Sequence, residues 1–197
     1  MLEADTSSRA RPPRSDSPLS DFLSPDELAE VDLELDLDFH LNLHVWAASQ
    51  EIQRRLVSNL ALAQVEPALT QEFGIGRKRI SYLETVQRPW DALSAVPPSE
   101  HARRLSTILK DPDKFINDFL EGSKLWASQN IDGLLEMVSR VVGPNWHREI
   151  IEKRNVEWLA AIQNAPSGAL VAVGALHLAG PSGLVAKLGD RVRPAVP

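Results

Sequence analysis

The sequence predicts an α/β (α+β) chain that is predominantly helical and carries a small mixed sheet. Three observations lead there. From Pro89 to Asn164 the apolar residues recur at helical spacing, with Pro or Gly at the breaks. Near the end, five apolar residues, Ala169 to Val173, run unbroken between a Pro-Ser-Gly turn and Gly174. Such a run, short and bounded by turn residues, is the pattern of a fully buried strand. Ile80-Ser81-Tyr82-Leu83-Glu84-Thr85 reads as a second strand, ending in a carboxylate. At 197 residues the chain fits one domain over 1–197.

Taken in order, residues 4–22 are rich in Ser, Arg and Pro, and read as a flexible loop. Ser24-Pro25-Asp26-Glu27 then opens a helix: a serine N-cap, proline at the first helical position, and Glu27 where a capping box needs it. From Val31 to Val45 every odd position is apolar and every even one polar. Strict alternation argues for a strand, whereas the length and the leucine-rich composition argue for helix broken near Asp38. Both readings stay open, with helix preferred. His40 and His44 would share a helix face, as zinc ligands can, but solvated positions are the simpler account.

Trp46 to Gln64 reads as a helix striped by Ile52, Leu56, Leu60 and Ala63. Further helices are predicted over Pro89–Ala95, Ser99–Leu109, Asp111–Ala127, Ile131–Val142 and Trp146–Asn164. On the last of these Val156, Leu159, Ala160 and Ile162 are expected to face the core. Arg154 and Asn155 could reach the carboxyl end of the strand that follows. The plainer alternative leaves Arg154 on the surface, paired with Glu157 three residues on. Beyond the strand, Gly174 is followed by His177, placed where ligands of α/β sheets tend to sit. A histidine satisfied in a tight turn is the competing account. A second turn, Gly180 to Gly183, then opens a short helix over Leu184–Leu188.

The formal net charge of −6 and the absence of a basic stripe argue against nucleic acid. No cysteine is present, so neither a disulfide framework nor thiol chemistry is expected. No run approaches the ~20 apolar residues of a membrane span. The N-terminus shows no charged-then-apolar leader, so the expected location is the cytoplasm as the chain is written.

The closing residues carry a resemblance. Arg154-Asn155, Trp158, Ala172-Val173-Gly174-Ala175-Leu176-His177-Leu178-Ala179-Gly180 and Gly183-Leu184 are similar to the final signature of the TraB/PrgY/GumN family, which includes the Tiki metalloproteases. Tyr82-Leu83-Glu84-Thr85 with Gln87 and Leu93 resembles the family's central stretch, and Leu2-Glu3-Ala4-Asp5 resembles a strand bearing an early glutamate. The family has two GxxH motifs, a glutamate between them and an arginine near the second.

The resemblance implies His177 and Glu3 as metal ligands, with Arg154, Asn155 and Glu84 in the catalytic surroundings. The implied cofactor is a divalent metal: manganese, cobalt or zinc. The first GxxH has no counterpart, and the first family strand is expected to be missing, because the chain begins where the family's second strand would be ending. An upstream start, with an export signal and an envelope location, is the corresponding expectation for the full gene. The implied function is a metal-dependent hydrolase or peptidase, impaired for want of that motif. The alternative is a non-catalytic peptide-binding or regulatory protein of the same fold, like members linked to pheromone shutdown. A peptide or small molecule is the expected substrate, and a homo-oligomer a possible assembly.

Overall fold

The computed structural model describes residues 18–34, 43–60, 71 and 80–192. These are predominantly helical, as expected. The helices are α1 (Pro25–Glu34), α2 (Val45–Leu56), α3 (Arg88–Ala95), α4 (Pro98–Lys110), α5 (Pro112–Ala127), α6 (Ile131–Ser139), α7 (Pro144–His147), α8 (Lys153–Gln163) and α9 (Leu184–Leu188). A π turn, Arg148–Glu152, joins α7 to α8 without a break. Among the described residues no helix is long and apolar enough to cross a membrane.

The helix starts follow from local chemistry. Ser24 and Glu27 form the capping box: Glu27 N–H donates to Ser24 Oγ at 3.3 Å, and Ser24 N–H to Glu27 Oε2 at 2.9 Å. Glu27 also accepts from the Ser106 hydroxyl, which ties α1 to α4. That bond, above all, holds the Glu27 carboxyl down at about 2. Asp111 caps α5 by accepting from Lys114 N–H at 2.9 Å, and Asn130 caps α6 by accepting from Gly133 N–H at 3.0 Å.

Two cores result. In the first, Val31 of α1, Val45, Ala48 and Ile52 of α2, and Ala102, Leu105 and Ile108 of α4 pack together, closed at one end by Leu19 and Leu23. Within the predicted flexible loop, Leu19–Asp21 thus forms a short 3-10 turn whose Leu19 is buried, while 4–17 lie outside the described residues. In the second, Trp158 and Ile162 of α8 pack on Leu184 and Leu188 of α9, with Leu83 and Val173 against them.

The small mixed sheet does not appear among the described residues. Residues 169–173 form neither helix nor strand, and they pair with no strand there. They are not fully buried either: Leu170 and Val171 are 52% and 37% exposed, and Val173 alone packs against the second core. A buried strand needs ladder partners for its backbone and layers over both faces. Its expected neighbour near Glu3 lies outside the described residues. The predicted strand 80–85 is likewise a loop, with Ile80 and Tyr82 exposed. Of the alternating segment, α1 takes residues up to Glu34, and 35–42 lie outside the description. His40 falls there too, while His44 stacks on Trp46 at 5.9 Å between ring centroids.

The capping box makes a simple prediction. Ser24→Ala should lower unfolding stability by about 1 kcal/mol, read from the urea midpoint. An unchanged midpoint would mean that α1 does not depend on its cap.

Candidate functional site

The face that α8 and the π turn before it bury is set by Ile151, Asn155, Trp158 and Ile162, which recur three and four residues apart. Val156, expected inside, is 58% exposed, and Ala160 is exposed too. A polar residue at the middle of the buried face hides that face from an apolar pattern. Asn155 is 0% exposed.

Its side chain makes three hydrogen bonds to the two turns that follow residues 169–173. Nδ2 donates to the carbonyl of His177 at 3.1 Å and to that of Ser182 at 2.9 Å. This fixes which end of the amide is oxygen, and Oδ1 lies 2.7 Å from His177 Nδ1. Nδ1 therefore carries the proton and donates, leaving the lone pair of the neutral ring on Nε2. The turn is held by its own backbone as well, with His177 N–H donating to Gly174 carbonyl at 2.9 Å. A Cβ at Gly183 would lie 2.3 Å from the Leu178 carbonyl oxygen, so only glycine lets that turn close against the first.

Arg154 approaches from the preceding position on the helix. Nη1 donates to the Ile150 carbonyl at 3.1 Å, within the π turn, and faces His177 Nε2 at 3.4 Å. The guanidinium lies over the Trp158 ring at 4.9 Å, and that ring in turn packs on His177 with centroids 4.5 Å apart. Its remaining edge forms a fork with Glu84: Nε to Oε2 at 3.0 Å and Nη2 to Oε1 at 2.6 Å. Both side chains are mostly covered, at 13% and 19% exposed. Glu157, the surface partner considered for Arg154, instead makes a second fork with Arg88 at 2.7 and 2.8 Å.

The structure thus brings together His177, Arg154, Asn155 and Glu84. Glu3 lies outside the described residues. Among the described residues no group of three or more His, Cys, Asp or Glu side chains could hold a metal ion. Sequence reasoning gave Trp158 no role beyond its place in the family signature, and it did not single out Glu149 in the neighbouring π turn. Trp158 supplies the floor beneath both His177 and Arg154, and its Nε1–H has no partner among the described residues. Glu149 is a buried carboxylate in the π turn, paired with Lys153 at 2.7 Å and Arg148 at 3.0 Å. The Glu149-Lys153 spacing of four was the readable signal. A shallow hollow elsewhere, along Asn117, Leu120 and Lys124 of α5, is lined by one helix and gathers no converging groups.

A model of the TraB/PrgY/gumN family matches residues 2–191, nearly the whole chain. The chain belongs to the TraB/PrgY/gumN family. No curated protein and no solved structure matches it. The matched range includes all four residues of the cluster, Glu84, Arg154, Asn155 and His177.

Burial, and after it the Arg154 charge, hold the His177 pKa down to about 4 from an ordinary 6.5. Between those values the unfolded chain binds a proton that the folded one refuses. The stability owed to the neutral ring is complete above pH 6.5 and is lost as pH falls toward 4. The loss should reach roughly 3 kcal/mol at the acid end, and His177→Gln should flatten it in urea unfolding followed across that range. Burial also lowers the His101 pKa, so His101→Gln measures the remainder. A wild-type slope retained in His177→Gln would show that His177 is not held neutral.

Proposed function

We propose that this chain binds a peptide at the His177–Arg154–Glu84 cluster without hydrolysing it, in the manner that the family resemblance implies for its regulatory members. The observation that carries this reading is the 3.4 Å approach of Arg154 Nη1 to His177 Nε2. A hydrolytic metal needs about three protein ligands and one open position. Here the only lone pair the imidazole offers is turned toward a cation. Both oxygens of Glu84, the carboxylate that reaches the cluster, are engaged by the same guanidinium. The described residues therefore do not fit a resident manganese, cobalt or zinc ion.

A metal-dependent hydrolase or peptidase, with His177 and Glu3 as ligands, is the second reading. One observation favours it: Asn155 holds the Nδ1–H, which is how metal-binding imidazoles are commonly oriented. The arrangement that prepares Nε2 as a ligand also prepares it to accept from Arg154, so the two readings part on what occupies that lone pair.

Titration of manganese, cobalt and zinc into the full chain and into His177→Ala, beside an assay of peptide cleavage, separates them. The expected result is metal binding that is weak and the same in both proteins, with no turnover. Tight binding that disappears in His177→Ala, accompanied by cleavage, would replace the binding reading with the hydrolase.

A further inference from the structure

The fork that Arg154 makes with Glu84 has an uneven construction. On one side the guanidinium is fixed without any help from Glu84. The Ile150 carbonyl and His177 Nε2 hold Nη1, and the Trp158 ring lies beneath the plane. Ile150 is itself buried, and Trp158 is 4% exposed. The cation is a preformed receptor with its Nε and Nη2 edge pointing outward, the edge that matches a carboxylate in plane.

On the other side, Glu84 belongs to a loop with few other contacts among the described residues. Residues 80–87 form neither helix nor strand. Tyr82 is 75% exposed and Val86 81%. Leu83 packs against the second core, and the Arg88–Glu157 fork, whose carboxylate is half exposed, anchors the loop's far end. Exposed ion pairs of that kind contribute at most about 1 kcal/mol. A rigid receptor facing a carboxylate on a lightly held loop is a site closed by its own internal ligand.

We infer that the Arg154 edge is a binding site for a carboxylate-bearing ligand, the free C-terminus of a peptide, and that Glu84 occupies it until that ligand displaces the 80–87 loop. This rests on the peptide-binding reading and names the group the site recognises. A carboxylate is the chemistry the fork selects, because a planar pair of oxygens satisfies Nε–H and Nη2–H together as Glu84 does. A C-terminal amide or an ester offers no second anionic oxygen. Because Glu84 is tethered, an outside ligand competes with it at an effective concentration in the millimolar range or above. The apparent affinity is thereby reduced by the fraction of time the loop stands open.

Tyr82 is the chain's single tyrosine, so replacing it with 3-fluorotyrosine gives one fluorine signal that reports the loop alone. The probes are acetate, an N-acetylated dipeptide with a free C-terminus, and the same dipeptide amidated. In the wild-type chain the free acid should move the Tyr82 signal toward its position in Glu84→Gln, and the amide should not. Glu84→Gln should bind the acid about tenfold more tightly or better by calorimetry, and Arg154→Gln should abolish the effect. Equal binding of acid and amide would overturn the carboxylate site and leave the peptide-binding reading standing. Acetate binding that depends on Arg154, with neither dipeptide bound above it, would keep the site and sink the peptide. An unmoved Tyr82 signal with every probe would overturn the inference, and this wild-type arm decides even if Glu84→Gln fails to fold.

Discussion

The described half of the molecule that holds the site hangs on three hydrogen bonds made by one side chain. Asn155 lies in a dry position and reaches the His177 carbonyl, the Ser182 carbonyl and the His177 ring at once. Each bond alone contributes about 1 kcal/mol, but leaving its partner buried and unpaired costs about 1–3 kcal/mol. The arrangement therefore tolerates no partial version. It docks two consecutive turns on α8, chooses the tautomer of His177, and aims the ring at Arg154. Everything chemical about the cluster follows from that choice.

The charges around the cluster are arranged in crossed pairs. Arg154 of α8 reaches Glu84 of the loop, and Arg88 at the loop's end reaches Glu157 of α8. Each element contributes one cation and one anion, so the loop is held in register as well as held down. The first pair is mostly covered and the second half exposed. Salt should therefore weaken the far end of the loop before it weakens the end at His177.

Much of the helical part was legible because its signals are local. Ser24 and Glu27 announce α1 within four residues, Asp111 and Asn130 announce α5 and α6, and proline marks the first turn of each of α3, α4, α5 and α7. The site residues Arg154, Asn155, Glu84 and His177 were legible through a family signature, and their meeting is a matter of tertiary contact. What failed has two causes. The apolar run 169–173 and the segment 80–85 carry strand composition, yet a strand exists only with a partner, and composition does not name one. On α8 the apolar stripe pointed to Val156, because Asn155, the true centre of the buried face, is polar. A buried polar residue is invisible to periodicity in proportion to how well it is satisfied.

The π turn before α8 has a consequence for how this site can vary. It inserts one residue into an otherwise continuous helix from Pro144 to Gln163. An α-helix turns by about 100° per residue, and the wider π turn, bonded i to i+5, absorbs the extra residue so that the helix after it keeps the phase of the helix before it. If the turn closed to an ordinary α turn with all five residues kept, the face bearing Asn155 and Trp158 would rotate by about 100° while every side chain kept its chemistry. The site is thus written partly in the width of one helical turn, at residues none of which hydrogen-bonds to His177.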